Sequence, residues 1–568
     1  AFNPDIRILG VEPYLGHRLQ GLKNMREAYQ PEIFEKRLLD EKINVEDEPA
    51  FEMTRRLSRE EGLMVGMSSG AAMVVAADVA KNMDSGTLVV IFPDGGERYL
   101  STPLFDVQEK IELKLFNTMT RKKERFLPLE PGKVSMYTCG PTAHAPLHVG
   151  EGRRFVFSDL LARYLNFRGF TVNQVMNITD MDDKTIEGSE KAGMSLEKFT
   201  GMHMDAFHED LRVLGIRPAN HYPKASEHTA DMVDIADRLV KKGYAYEKLR
   251  SIYFDISRFK AYGRLSGVDL DKIRIGATVD LEAYEKDNPR DFTLLKRTRL
   301  SELKRGIYTK TEWGNMRPSW HLQCAAMSMH YLGDFFDIHC AGRELVFPHH
   351  ENEIAIVGAL TGKSLAKYWV HCDRVLVDGK KVEESDALTI RDLLDKGFTG
   401  REIRYWLLST NYRKPVLFSR ERLRRIRKTL GRLDACVRTL KDIRQGEPFG
   451  QLDQLCYDIK NGFTTAMDDD LNISAALASL FSVIKRINTL AVEDRIDPEG
   501  AQRILETLAL IDTVLNLFDF EDRAQDPRVQ QLLEQRTRAR KKKDWELADR
   551  IRDALMEMGV VPRDDRIG

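Results

Sequence analysis

The stretch KVSMYTCGPTAHAPLHVGEGRRFVFSDLLARYLNFRG, residues 133–169, changes character twice within 37 positions. KVSMYTCGPT reads as a strand and AHAPLHVGEGR as a turn. RRFVFSDLLARYLNFRG reads as a helix, because Phe155, Leu160, Leu161 and Leu165 recur near helical spacing. Farther on, TVNQVMNITD is a second strand. After a polar, mixed insertion at about 187–320, FFDIHCAG and YWVHCDRVLV are strands flanking FPHHENEIAIVGAL. Strands alternating with helices predict an α/β unit with a parallel sheet, its ligand site at the carboxyl ends of the strands.

On the amino-terminal side, residues 1–105 also alternate. IRILGVEP reads as a strand, FEMTRRLSREEG as a helix, GMSSGAAMVVAADVAK as a turn opening an apolar helix, and GTLVVIFPDGGERY as a buried strand leading into a turn. Beyond about residue 388 the pattern is almost entirely helical, ending in a run of Arg536, Arg538, Arg540, Lys541, Lys542 and Lys543. Such a run is either a solvated helix face or a phosphate contact.

At 568 residues the chain is too long for one core and predicts two to four domains. Lys+Arg of 87 against Asp+Glu of 88 gives a net charge of −1, so any nucleic-acid contact must come from a local patch. No apolar run is expected to span a bilayer. Six irregularly spaced cysteines suggest reduced thiols or metal ligands in the cytoplasm more than a disulfide framework. Ala1 stands in mid-pattern, so a fragment is expected.

His349 and Glu353 in VFPHHENE are four residues apart, which places both on one helix face as a metal pair or as a polar helix start. Cys139 ends a predicted strand, and Cys324 lies in SWHLQCAAMSMHYLGD. Two thiolates, an imidazole and a carboxylate make a tetrahedral zinc set, although spacing alone cannot assemble ligands so far apart.

The pieces MYTCGPT, HVGEGR, NITDMDDK, YPKASEHT, RPSWHLQCAAMSMHYLGDFFDIH and FPHHENEIA, in that order, resemble the cysteinyl-tRNA synthetases, a class I aminoacyl-tRNA synthetase family. The resemblance runs from about residue 113 to the end. It implies a Rossmann-like catalytic domain at 113–388 with the insertion about 187–320, a helical stem-contact region at 389–445 containing REIRYWLLSTNYRKP, and a helical tRNA-binding domain at 446–568. It also implies that Cys139, Cys324, His349 and Glu353 bind one Zn2+, which in turn binds the substrate thiolate. Thr142, Thr179, Trp320 and His339 would surround the amino acid, although Trp320 can equally be a core residue. His148 and Gly150 of HVGE, in the position of the HIGH signature, would bind ATP with Lys381, His148 acting as a catalytic donor to the α-phosphate, and Mg2+ would accompany the ATP. The departure there is Glu151, where the family usually has histidine or asparagine.

GKKVEES, residues 379–385, lies where that family carries a mobile lysine loop that neutralises pyrophosphate. Lys381 matches its first lysine and is expected to be catalytic. Glu384 replaces the second, Glu383 replaces a serine, and Lys380 compensates in part. The amino-terminal block resembles the carboxyl-terminal portion of the cysteine synthase family, with Ser68 matching the serine that meets the pyridine nitrogen. The Schiff-base lysine of that family lies upstream of such a portion, so pyridoxal phosphate is not expected here.

The implied function is cysteine–tRNA ligation from L-cysteine, ATP and tRNA(Cys) by a cytoplasmic monomer without a membrane. The alternatives are a catalytically impaired paralogue that binds cysteine, zinc and tRNA, or a ligase that passes cysteine to a small amine.

Overall fold

The computed structural model describes every residue except 1, 2, 4, 28–30, 33, 100, 101, 103, 105–111, 270–285, 287, 378, 379, 382–387, 521–526, 543 and 558–568. The chain forms two compact units, Ala1–Ile111 and Glu112–Gly568.

In the first unit, Leu9–Pro13 and Glu41–Val45 pair as parallel strands, and the helices Asp47–Glu60 and Met67–Lys81 pack on each other. Phe51, Met67, Ala71 and Tyr99 contribute to its core. The apolar run TLVVIF is not the buried strand its composition suggests. Residues 87–92 belong to no strand or helix, and Val89 and Ile91 are 83% and 77% exposed. A strand needs a neighbour for its backbone N–H and C=O groups, and among the described residues none pairs with this run.

The second unit opens with a hairpin, Lys114–Asn117 against Lys122–Arg125. Its centre is a parallel sheet. The elements used below are β1 (Lys133–Thr138), α1 (Val149–Phe167), β2 (Thr171–Met176), α2 (Trp320–Leu332), β3 (Phe336–Gly342), α3 (Glu351–Thr361) and β4 (Ala366–Cys372). The strand order is β4-β3-β1-β2, with Ile338 opposite Met136 and Cys340 opposite Thr138. The order reverses between β3 and β1, so a crevice opens past Thr138 and Gly342.

Helix α1 buries Phe155, Leu160, Leu161 and Leu165, the residues at near-helical spacing, and is buried nearly all round, including Arg153, Arg154, Asp159 and Arg163. It lies between the sheet and the helical region that follows. Asp159 carries the polar part of this packing, with Arg163 at 2.8 Å and Arg404 of helix α4 (Gly400–Leu408) at 2.6 Å. Arg404 belongs to the segment expected to contact a tRNA stem, but it is fully buried and serves the core. Removing Asp159 would leave two buried guanidinium groups without their carboxylate, costing about 3–5 kcal/mol.

The insertion contains a five-stranded antiparallel sheet built from Ala245–Lys248, Ser251–Phe254, Phe292–Arg297, Thr309–Thr311 and Gly314–Pro318. It shares one core with the parallel sheet, since Phe254, Leu295, Tyr137 and Trp369 belong to a single cluster. After β4 come β5 (Val375–Val377), β6 (Lys380–Lys381) and β7 (Val416–Phe418), in the order β6-β5-β7.

The carboxyl-terminal helices include α5 (Arg420–Asp442), Leu452–Asp468, Ile473–Val492 and Pro498–Leu515. Contrary to the sequence expectation, Ile473–Val492 is long and apolar enough to cross a membrane, with a mean hydropathy of 1.4. Its Ala476, Leu480, Ile484 and Ile487 are buried, and the helix packs on α5 and Leu452–Asp468. Among the described side chains of the terminal basic run, Arg536 is buried, Arg540 is half-buried, and Arg538 and Lys542 are exposed.

Candidate active site and metal centre

Cys139 follows β1 directly, and the chain there runs hard against the loop after β2. A Cβ on Gly140 would fall 1.6 Å from the Asn177 carbonyl oxygen, so only glycine permits this approach. Helix α2 carries Cys324 in its second turn, the turn Val346–His350 leading into α3 supplies His349, and the first turn of α3 supplies Glu353. Cys139, Cys324, His349 and Glu353 are all buried, and one ligand atom from each lies within 4.8 Å of the others.

The charges in this cluster are arranged as a ligand set. Burial opposes a thiolate at Cys324, but the Cys139 S–H and the His349 imidazolium outweigh it and bring the thiol down to about 6. Burial, followed by the neighbouring Cys324 and Glu353, keeps the Cys139 thiol well above the usual range. Burial also opposes charge on His349, yet Glu353 and Cys324 raise it to about 9. Glu353 falls to about 2, because His339 and His349 outweigh its desolvation.

His349 Nε2 and Glu353 Oε1 approach to 2.8 Å without the alignment of a hydrogen bond, and both atoms lack any other partner. Two buried polar atoms left open toward a common point, beside two sulfurs, fit a thiophilic cation such as zinc. A second set, Cys139, His339, His350 and Glu353, shares two ligands with the first, so one cation fills the space. In that set His339 Nε2 is already bonded to Glu353 Oε2 at 2.9 Å and His350 Nε2 lies 3.4 Å from the Cys139 sulfur, which favours the first.

Three histidines that motif reading passed over support the tetrad. His321 Nδ1 lies 2.8 Å from His349 Nδ1. Burial, then His349, pushes His321 well down, so it is the neutral acceptor, and His349 keeps Nε2 free for a ligand bond. His350 continues through His371, 2.9 Å away, to the Thr118 hydroxyl at 2.7 Å. The doublet HH and the pair WH were the available signals.

Above the cluster lies a cleft of about 710 Å3, whose walls include Thr142, His148, Gly150, Glu151, Trp320 and His321. The Trp320 ring stacks on His349 at 4.0 Å and 23°, so it both borders the cleft and covers a candidate ligand. Thr179 is buried and holds Thr142 by backbone pairing: Ala143 N donates to Thr179 O, and Thr179 N to Pro141 O. His339 is fully buried behind Glu353, stacked on Trp369 at 4.3 Å, and does not border the cleft.

His148 is the N-cap of α1. Its Nδ1 accepts from Gly150 N at 3.1 Å and Glu151 N at 3.3 Å, so the neutral ring carries its proton on Nε2. A Cβ on Gly150 would stand 3.0 Å from that ring. The Nε2 atom faces Glu151 Oε2 at 3.5 Å, and Glu151 also reaches Arg154 at 3.4 Å. Backbone pairing ties this turn to the segment after the lysine loop: Val149 N donates to Leu388 O and Ile390 N to Leu147 O, each at 2.9 Å. Lys381 pairs through its backbone with Leu376, whereas Glu383 and Glu384 lie outside the described residues.

In the amino-terminal unit Ser68, the expected match to the pyridine-contacting serine, is not among the residues that line the unit's cavity. Ser68 is 3% exposed, and a Cβ on Gly21 would sit 3.5 Å from its Oγ. A cavity of about 410 Å3 opens beside Gly10, Lys23 and Lys42 and not at Ser68, and Lys42 is held by Glu12 at 3.0 Å.

Comparison with known proteins matches residues 125–428 to the family "tRNA synthetases class I (C) catalytic domain", 462–519 to the "DALR domain", and 522–567 to the "Cysteinyl-tRNA ligase anticodon binding domain". Residues 1–94 match the "Pyridoxal-phosphate dependent enzyme" family. The cysteine–tRNA ligase of Chlamydia muridarum (strain MoPn / Nigg) is 41% identical over 474 residues, covering 81% of this chain and 99% of that one. That of Methanosarcina mazei is 38% identical over 469 residues, covering 80% and 98%. Among solved structures, methionyl-tRNA synthetase of Mycobacterium tuberculosis bound by methionyl-adenylate aligns with a TM-score of 0.49 at 14% identity, over 68% of this chain and 92% of that one.

Proposed function

The chain belongs to the cysteinyl-tRNA synthetase family of class I, and from that premise we propose that it joins L-cysteine to tRNA(Cys) through a cysteinyl-adenylate made with ATP. The observation that carries this reading is the convergence of Cys139, Cys324, His349 and Glu353 beneath a cleft bordered by His148. Those four residues would hold zinc, which when bound supplies a soft position that favours a thiolate over the hydroxyl of serine.

The chain's own groups divide the remaining work. His321 fixes the ring of His349, and His339 fixes the carboxylate of Glu353. Trp320 and Thr142 form the wall against which the amino acid lies. The cysteine carboxylate attacks the α-phosphorus of ATP in line, forming a P–O bond as the bond to pyrophosphate breaks, with Mg2+ entering on the nucleotide. His148 Nε2–H is the donor for charge on the α-phosphate, Gly150 lets the nucleotide approach the helix start, and Lys381 is assigned to the departing pyrophosphate. The adenylate carbonyl then passes to a terminal ribose hydroxyl of tRNA, releasing AMP.

In this reading 113–388 is the catalytic domain, and the helical segments 389–445 and 446–568 carry the tRNA. The enzyme acts as a cytoplasmic monomer away from membranes. Residues 1–105 contribute no step.

Cysteine-dependent exchange of pyrophosphate into ATP, measured with metal content, tests the proposal. The wild-type chain should retain one zinc in the tetrad and exchange with cysteine but not serine. Cys324→Ser should lose that metal and fall to background. Exchange that is independent of cysteine, or unchanged in Cys324→Ser, overturns it. Glu151 facing His148 favours one second reading, a protein that binds cysteine and tRNA without making adenylate. That reading predicts metal retention with no exchange at all.

A further inference from the structure

His228, Asp231 and His330 converge although they come from two separate segments, the insertion and α2. His228 ends the short turn Ala225–His228 and caps the helix Thr229–Lys241, Asp231 lies in that helix's first turn, and His330 stands near the end of α2. Asp231 Oδ2 lies 3.1 Å from His228 Nδ1 and 3.0 Å from His330 Nδ1. The two imidazole rings have centroids 4.7 Å apart and are inclined at 66°, so they flank the carboxylate without stacking.

We propose that these three side chains form a second divalent-cation site, independent of the buried tetrad. Ligand bonds of about 2.0–2.1 Å in tetrahedral geometry put donor atoms about 3.3 Å apart, close to both spacings seen here. Tyr331 Oη lies 3.4 Å from His228 Nε2, so the hydroxyl oxygen can accept a hydrogen bond from Nε2–H and leave the unprotonated Nδ1 as the ligand atom. His228 is 8% exposed and fixed, whereas the side chains of Asp231 and His330 are 42% and 50% exposed, which gives an ion an entry path and a solvent ligand.

Two nitrogens and one carboxylate select a borderline transition cation, zinc or cobalt, over calcium or magnesium, which prefer oxygen. The segment is pre-positioned, since Asp180 accepts from Ser226 N at 2.9 Å and Ser226 Oγ at 2.5 Å. An ion here clips the start of the helix Thr229–Lys241 to the end of α2, the helix that carries Cys324. The site is therefore structural and not catalytic.

The test uses the full chain, stripped of metal and then equilibrated with micromolar zinc or cobalt. His330→Gln and Asp231→Asn should each bind one equivalent of zinc less than wild type, and their cysteine-dependent exchange should be unchanged. In the cobalt forms, charge transfer from thiolate to metal should be the same in wild type and variants, while the visible d–d absorption falls in both variants. Equal zinc content in wild type and both variants overturns the proposal and leaves an aspartate accepting from two imidazoles. Loss of the thiolate–cobalt band in His330→Gln also overturns it, because the variant would then be acting through the tetrad.

Discussion

At one end of the cleft, His349 and Glu353 are 1% and 0% exposed and each is held by a further histidine. At the other end, His148 and Glu151 are 21% and 25% exposed and face one another. The first end is over-determined: each ligand is fixed by burial and by a partner, as discrimination by a thiophilic ion requires. The second end is partly solvated and mixed in sign. There, a carboxylate faces the same imidazole N–H that the proposed function assigns to phosphate. In that proposal sulfur is recognised by groups built into the core of this chain, whereas phosphate is met by groups that a single substitution can redirect.

The sharpest way to break this contrast is through protons. In the metal-free protein Cys324, at about 6, is already a thiolate near pH 7.5, while His349, at about 9, and the Cys139 thiol remain protonated. Cation uptake should therefore release about two protons, and affinity should fall about 100-fold for each pH unit lowered between roughly 9 and 6. Calorimetry in buffers of different ionisation enthalpy measures this. Uptake without proton release would mean that the ligands are not these. Stability of the metal-free fold should not follow the same slope. Between 6.5 and 9.0 the folded pair holds one proton, on His349, and the unfolded pair holds one, on Cys324, so folding exchanges none.

A smaller effect is expected one layer out. His321→Ala removes the acceptor of the His349 N–H and should weaken zinc binding by about 10- to 100-fold, raising KM for cysteine more than it lowers kcat. An equal loss in both would show that His321 acts on the cleft wall and not through the ligand. The smallest change is at the phosphate end. Glu151→Gln removes the competing charge beside His148, and pyrophosphate exchange should rise about tenfold, read as kcat. A fall in exchange would assign Glu151 to nucleotide binding.

The set Cys139, Cys324, His349 and Glu353 comes from the resemblance carried by short ordered motifs, since spacing alone pairs only His349 with Glu353; the structure brings all four close together. The parallel sheet was legible because its strands are apolar runs punctuated by turns. What failed depended on partners that sequence does not name. Arg404 looks like a surface cation until Asp159, 245 positions away, is brought against it. His321 meets His349 across 28 positions, and only the packing of α2 on α3 brings them together. TLVVIF has the composition of a buried strand, but among the described residues no strand lies beside it. Gly150 was assigned to nucleotide approach, and the structure adds a second constraint, the His148 ring beside it.

The backbone pairing between Leu147–Val149 and Leu388–Ile390 joins the segment that leaves the lysine loop to the turn that holds His148. The two are strapped like adjoining links of a watchband. Leu388 thus anchors the turn of His148, and under the proposed function the phosphate donor is moored to the segment that follows the lysines.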